Sequence, residues 1–204
     1  MTNGDSFQPV IKASSIKTQL CGNAPDTDLI NAGIIWETTN NFEIINLMPD
    51  GGITNGVIDW SDFDNDGDMD AAVCGLDNNS NRRLLIYRND DANWTLVSEP
   101  MTGLRGLSYS SAKWFDFDND GDMDFAATGY DFDGCKRFTI FKNENGFFTK
   151  YIEPLGDNTG LYYGSVDSAD IDNDGDADLI ASGYDSSGKY RFFILFNDNG
   201  SFQR

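Results

Sequence analysis

The residues most capable of chemistry are aspartates, which occur in three nine-residue strings of the pattern Asp-x-Asp-x-Asp-Gly-Asp-x-Asp. The strings begin at Asp62, Asp116 and Asp170, so successive copies are 54 residues apart. Five carboxylates within nine residues repel one another, and such a loop is stable only around a hard cation. Oxygen ligands at alternating positions, with glycine at position six, are typical of a calcium-binding loop. The sequence therefore predicts three Ca²⁺ sites.

Three other interpretations of these loops are weaker. A solvated acidic turn would explain one copy, but three copies in register argue against it. An EF-hand needs glutamate at position twelve and flanking helices, whereas position twelve is Val73, Ala127 or Ala181, inside predicted strands. Magnesium is disfavoured because it gives up its water reluctantly and is seldom held in an all-protein cage.

The overall charge of the chain limits the classes of partner that it can be expected to bind. Asp and Glu number 34 against 14 Lys and Arg, which gives a formal net charge of −20. Nucleic acids and anionic membrane surfaces are polyanions, so neither is expected as a partner. No apolar run is long enough for membrane insertion. The chain is 39% hydrophobic and 13% aromatic, which provides ample material for a folded core.

Histidine is absent from the chain. Its absence removes the commonest general base and the Ser-His and Cys-His nucleophile pairs. No isolated pair of carboxylates stands apart from the acidic loops, so we predict that the protein is not an enzyme. Cys21, Cys74 and Cys135 do not recur at the 54-residue spacing, so no disulfide framework is predicted either.

The 54-residue spacing extends into the segments around each acidic loop. A short apolar run ending in glycine follows every loop, then a polar turn, then a second apolar run opened by an arginine (Arg83, Arg137 or Arg191), then an Asn-rich turn. Runs of four to six aromatic and β-branched residues bounded by Gly, Asn and Asp predict strands joined by tight hairpins. We expect the recurring arginines to pair with nearby carboxylates or carbonyls.

Four antiparallel strands in a unit of about 50 residues are typical of a β-propeller blade. The predicted fold class is therefore all-β, with about four such repeats forming a partial propeller or a small closed ring. A β-sandwich is the main alternative, but sandwiches do not repeat one loop at a fixed period. Trp60 and Trp114 occupy equivalent positions beside two loops, with Ser168 as the third equivalent, and we expect the tryptophans to pack between blades.

We predict a single repeat domain over residues 1–204, expected to be part of a longer array with further blades. Its predicted parts are the last strand of a preceding blade at 1–10, a degenerate repeat at 11–50, and repeats at 51–104, 105–158 and 159–204. In the degenerate repeat the loop has become LCGNAP and has lost three acidic positions. No calcium is expected there.

These motifs resemble the FG-GAP and VCBS repeat families, which include the integrin α-subunit propeller, certain fungal lectins and many secreted or surface-anchored bacterial proteins. The third unit is most similar, with Tyr163-Gly164 where the family has Phe-Gly, followed by the acidic loop and Ser182-Gly183-Tyr184. The family's Gly-Ala-Pro has lost its proline there. The resemblance is close over residues 51–204 and loose over 11–50.

The resemblance implies a ligand set for each loop. Positions one, three, five and nine supply side-chain oxygens, and position seven supplies a backbone carbonyl. The implied ligands are Asp62, Asp64, Asp66, Asp68 and Asp70 in the first loop, Asp116, Asp118, Asp120, Asp122 and Asp124 in the second, and Asp170, Asp172, Asp174, Asp176 and Asp178 in the third.

The resemblance also implies a calcium-binding recognition or adhesion module, secreted or at the cell surface, that binds a glycan or an extracellular protein. Two alternatives stay open: part of a secreted polysaccharide-active enzyme, and a structural spacer in a large surface protein. Up-and-down blades place the acidic loops opposite the variable turns. We expect any ligand on those turns, with Phe132, Tyr162 and Tyr190 providing stacking surface.

Overall fold

A computed structural model describes residues 47–48, 51–101, 106–156 and 159–203. All of them belong to one compact unit, Asn46–Arg204. The strand predicted at 1–10 and almost all of the degenerate repeat at 11–50 lie outside the described residues. The absence of calcium from that repeat therefore stays a prediction.

The described residues form three four-stranded antiparallel sheets, and the prediction of an all-β fold with blade-like units is confirmed. Each sheet keeps its strands in chain order, so every connection is a hairpin. The strands of the first sheet are β1 (Thr54–Ser61), β2 (Asp70–Leu76), β3 (Arg82–Asp90) and β4 (Asn93–Ser98). Those of the second are β5 (Ser108–Phe115), β6 (Asp124–Tyr130), β7 (Lys136–Glu144) and β8 (Phe147–Ile152). Those of the third are β9 (Tyr162–Ala169), β10 (Asp178–Tyr184), β11 (Tyr190–Asp198) and β12 (Ser201–Gln203).

Consecutive sheets pack face to face, which explains why the second and third strands of a repeat are apolar on both sides. Side chains at alternate positions belong to different cores. Ala72 and Leu84 face the second repeat, where they join Leu107, Trp114 and other side chains of that repeat. The core between the second and third repeats is built in the same way, from Phe138, Ile140, Leu161, Leu179 and others.

The packing role expected for the tryptophans is confirmed for Trp114, which is buried between the first two sheets. Its ring stacks on Phe63, with centroids 5.9 Å apart, and its Nε1 donates to the Asp59 carbonyl. Trp60, the equivalent residue of the first repeat, is half exposed and meets Trp94 edge-on at 5.9 Å. The same residue type therefore has a different environment in the first repeat.

A glycine–leucine pair makes the backbone joint between consecutive repeats. Gly106 and Leu107 donate their amides to the carbonyls of Arg82 and Arg83, and Gly160 and Leu161 repeat this joint one unit later. A Cβ on Gly106 would lie 1.9 Å from the Arg83 carbonyl carbon. Only glycine allows the two backbones to approach this closely.

Candidate metal centres

The acidic loops join the first two strands of each repeat, and each brings carboxylates together. Oxygens of three aspartates lie within 4.8 Å of one another in every loop. Positions one and three belong to all three groups, while the third member is position five in the first loop and position nine in the other two. The groups are Asp62, Asp64 and Asp66; Asp116, Asp118 and Asp124; and Asp170, Asp172 and Asp178.

The side chain of the aspartate at position one accepts hydrogen bonds from backbone amides later in the same loop. In the first loop, Asp62 accepts the backbone amides of Asp66 and Gly67, both at 3.0 Å. The other two loops repeat both bonds at 3.0–3.2 Å. Gly67 has φ +98°, in the region that favours glycine. These bonds hold the carboxylates together in spite of their mutual repulsion.

The aspartate at position nine is fully buried in every repeat and ties the loop to the third strand. In the second repeat, Asp124 accepts the backbone amides of Phe117 at 3.2 Å and Asn143 at 2.7 Å. The pKa of Asp124 is raised to about 7, mainly by burial and also by the neighbouring carboxylates, against the lowering effect of these two hydrogen bonds. Burial likewise raises the pKa of Asp70 to about 6. A cation beside either group would favour its ionised form.

Sequence reasoning missed a structural role for the side chain at position seven, to which it assigned only a carbonyl. The carboxylates of Asp68, Asp122 and Asp176 accept backbone amides from the turns between the third and fourth strands, at 2.7–3.2 Å. The acidic loop and the Asn-rich turn therefore lie together at one end of each sheet. The recurrence of a fifth aspartate in every loop was the available signal.

The second loop contains the clearest opening for a cation. Asp118 Oδ1 is buried and has no hydrogen-bond partner in the described structure. Its other oxygen pairs with Lys142, which also lies 3.2 Å from Asp120. Hydrogen bonding to Asp118 raises the pKa of this lysine. An unpaired carboxylate oxygen among hard oxygen donors fits calcium, which takes six to eight oxygen ligands.

Basic partners differ among the three loops. Arg88 occupies the position of Lys142 in the first repeat, where its Nε lies 3.9 Å from Asp64. The equivalent residue of the third repeat is Phe196, which has no charge to offer. Asp172 has a raised pKa, caused by desolvation and by neighbouring carboxylates. The third loop therefore holds its negative charge without a lysine or arginine at this position.

The opposite end of the sheets holds a cluster of six tyrosine rings. Tyr109 and Tyr163 are the closest pair, with centroids 4.3 Å apart. Tyr162 contacts three rings of the cluster at 5.0–5.7 Å, and Tyr190 joins through Tyr184 at 5.1 Å. The cluster consists of Tyr109, Tyr130, Tyr162, Tyr163, Tyr184 and Tyr190. Lys136 lies over two of its rings, 5.3 and 5.5 Å from the centroids.

The structure thus unites two of the three residues predicted to bind a ligand. Tyr162 and Tyr190 belong to the tyrosine cluster, whereas Phe132 is exposed in the β6–β7 turn and meets none of these rings among the described residues. Tyr109 and Tyr130 were missed because they belong to the preceding repeat and lie far from Tyr162 in the sequence.

The recurring arginines are structural, as expected. Arg137 pairs with Asp131 at 2.6 Å and with Glu153 at 3.0 Å, and Arg191 pairs with Asp185 at 2.5 Å. The paired aspartate opens each turn between the second and third strands. Asp185, for example, accepts the backbone amides of Ser187 and Lys189. The arginines therefore hold these turns in place.

Comparison with known families agrees with this repeat geometry. The FG-GAP-like repeat matches the sequence twice, at residues 62–127 and 116–181. Together the matches cover residues 62–181, more than half of the 204-residue chain. This chain belongs to the FG-GAP-like repeat family. Each match starts at an acidic loop and extends through the following acidic loop into the next strand, and the two matches begin 54 residues apart, in agreement with the repeat period. No curated protein matches the sequence. Within the described residues, no helix is long and apolar enough to cross a membrane.

Proposed function

We propose that this chain is a calcium-binding recognition or adhesion module that works outside the cell. The observation that carries the proposal is the recurrence of three carboxylate groups in register, one of which contains a buried, unpaired oxygen on Asp118. The side chains at positions one, three, five and nine would hold the ion. Bound calcium would neutralise the loop and stabilise the blade, because metal binding and folding then share one free energy.

The ligand is a glycan or an extracellular protein, bound at the end opposite the acidic loops. The tyrosine cluster supports this placement, since aromatic rings with hydroxyl groups suit sugar stacking and interface contacts equally. Tyr163 and Tyr190 are largely exposed there. Tyr109 and Tyr163 have φ 50° and 53°, a conformation uncommon for bulky residues, where the first repeat has Asn55 at φ 52°.

Two measurements test the proposal. Metal analysis of calcium-equilibrated, dialysed protein should find three ions per chain, and one or none would contradict the calcium part. The labelled chain should then bind specific glycans on an array or specific proteins in a surface pull-down. Phe132→Ala, Tyr162→Ala and Tyr190→Ala should weaken that binding with an unchanged calcium content. Turnover of polysaccharides would instead favour the enzyme, and no binding in either assay would favour the structural spacer.

A further inference from the structure

The first and second acidic loops are identical in sequence, and the third has the same five aspartates. The first two read DFDNDGDMD, and the third differs from them only by isoleucine at position two and alanine at position eight. The two backbone amides that bond to the aspartate at position one also recur in all three loops, at 3.0–3.2 Å. A difference in calcium affinity between the first two loops must therefore come from side chains outside them.

One position of the third strand differs in charge from repeat to repeat, and in the second repeat it is Lys142. The Nζ of Lys142 pairs with Asp118 and lies 3.2 Å from Asp120, at positions three and five of the second loop. Hydrogen bonding to Asp118 raises the pKa of Lys142, so the ammonium group stays charged at neutral pH. A full positive charge therefore lies among the carboxylates that are proposed to hold the second ion.

Arg88, the equivalent residue of the first repeat, gives less of its charge to its loop. Its Nε is 3.9 Å from Asp64, whereas its Nη2 is 2.9 Å from Asp90, which lies outside the loop. The Arg88 side chain is 40% exposed, against 23% for Lys142, so water screens its charge more strongly.

The third loop has no basic neighbour of this kind. Phe196 occupies the equivalent position and has no charge. Within the part of the chain that the structure describes, no lysine or arginine pairs with a carboxylate of the third loop. The positive charge beside the carboxylates therefore decreases from the second loop to the first and from the first to the third.

We propose that the three loops are graded calcium sites, tightest in the third repeat, intermediate in the first and weakest in the second, where Lys142 lowers the affinity. This inference rests on the proposed calcium binding. Calcium affinity in acidic loops depends on the number of ligand charges. Lys142 offsets one of those charges, repels the ion and engages one oxygen of Asp118. The other oxygen of Asp118 has no partner in the described structure, so an ion can still bind there.

The same contact makes the second loop less dependent on calcium. Lys142 relieves the repulsion between Asp118 and Asp120, whereas no basic side chain does so at the equivalent position of the third loop. As the calcium concentration falls, the second loop would lose its ion first. It is also the loop whose carboxylates have a lysine to stabilise them.

Proteins with a single intact loop separate the three affinities. Asp118→Ala with Asp172→Ala leaves the first loop, Asp64→Ala with Asp172→Ala leaves the second, and Asp64→Ala with Asp118→Ala leaves the third. Isothermal titration calorimetry with calcium chloride should show the tightest binding for the third loop and the weakest for the second. These two should differ by roughly tenfold or more, because a unit charge and a divalent ion about 5 Å apart repel each other appreciably even in water. Circular dichroism checks that each protein is folded.

Exchanging the residues at the variable position tests the cause. Lys142→Phe in the second-loop protein should tighten calcium binding by roughly tenfold, and Phe196→Lys in the third-loop protein should weaken it by a similar factor. Lys142→Gln is the substitute if the phenylalanine variant does not fold. Lys142→Arg keeps the charge and should keep the weak binding. Lys142→Phe in the third-loop protein is the matched control, and its calcium affinity should stay unchanged.

Equal affinities of the three single-loop proteins would overturn the proposal, as would unchanged or weaker binding after removal of the Lys142 charge. Tightening by Lys142→Arg as large as that by Lys142→Phe would show that the shape of the side chain, and not its charge, sets the affinity. Failure of all three loops to bind calcium would instead contradict the proposed function. The failure of this inference is thereby distinguished from the failure of calcium binding itself.

Discussion

Asn119 crosses the boundary between the second and third repeats, with its Nδ2 2.6 Å from Oδ1 of Asp176. The other oxygen of this buried carboxylate accepts the backbone amide of Asn199 at 2.7 Å. Asn65, at the same loop position in the first repeat, donates to the Gly121 carbonyl at 3.1 Å. Neighbouring acidic loops therefore touch.

We expect Asn119→Ala to weaken calcium binding at the third loop by roughly three- to tenfold. The hydrogen bond it removes positions a carboxylate of that loop, and a hydrogen bond to a charged group contributes about 1.5–3 kcal/mol, part of which water replaces. Isothermal titration calorimetry with calcium measures the change. Asn173→Ala is the control, because Asn173 has the same loop position in the last described loop but makes no side-chain hydrogen bond to another loop among the described residues. Equal effects in both variants would contradict the coupling of neighbouring loops.

Removing the carboxylate at position three should remove one ion at a time. Asp64→Ala, Asp118→Ala and Asp172→Ala should each lower the calcium content by one and lower the melting temperature in calcium-containing buffer. Bound calcium adds about 2.7 kcal/mol to the free energy of unfolding when its free concentration is about a hundredfold above the dissociation constant. A chelator removes this contribution from every protein, so the three variants should then melt close to the wild type. Glu144→Ala, which changes an exposed carboxylate outside the loops, serves as the control. Unchanged metal content in all three variants would exclude position three as a ligand.

Asn143→Ala should destabilise the fold by about 2–4 kcal/mol, since it leaves several buried groups without partners. Asn143 Nδ2 donates to the Met123 carbonyl and to the Phe63 carbonyl of the preceding repeat, at 3.1 and 3.2 Å, and its Oδ1 accepts the Gly146 amide. Urea denaturation gives the change in the free energy of unfolding.

Asn89→Ala is the matched comparison for this buried asparagine. Asn89 Nδ2 donates to the Met69 carbonyl at 3.3 Å, and its Oδ1 has no partner within the described structure. The cost of this substitution should therefore be clearly smaller. Equal losses in the free energy of unfolding for Asn89→Ala and Asn143→Ala would show that the hydrogen bond from Asn143 to the preceding repeat does not stabilise the fold.

The Asp185–Arg191 pair predicts a specific pH dependence. The hydrogen bond from Arg191 lowers the pKa of Asp185, aided by the amides and hydroxyl of its own turn. A depressed carboxyl pKa stabilises the fold above the unfolded value of about 4, and this contribution is lost as the pH falls through the folded-state pKa. Asp185→Asn should therefore melt below the wild type at neutral pH, with a difference that persists to about pH 4 and shrinks in stronger acid. Thermal melts from neutral to strongly acidic pH measure it. A difference that has already vanished near pH 5 would contradict the role of this pair.

The sequence by itself determined the features that depend on neighbouring residues and on the repeat period. Apolar runs between Gly, Asn and Asp specify strands and hairpins locally, and the acidic pattern with Gly67 at position six specifies the loop. The 54-residue period then placed equivalent residues, such as Arg137 and Arg191, in equivalent structural roles. Local chemistry and periodicity were enough for the fold class and the metal-ligand candidates.

Only the tertiary structure decided which residues meet between repeats and which stay exposed. Asn143 and the Phe63 carbonyl are 80 residues apart, and no local pattern marks their contact. The tyrosine cluster joins residues of two repeats for the same reason. Phe138 and Phe192 are the same residue at equivalent positions, yet one is buried and the other exposed. Burial depends on which surface packs against a side chain, and a neighbouring repeat supplies that surface.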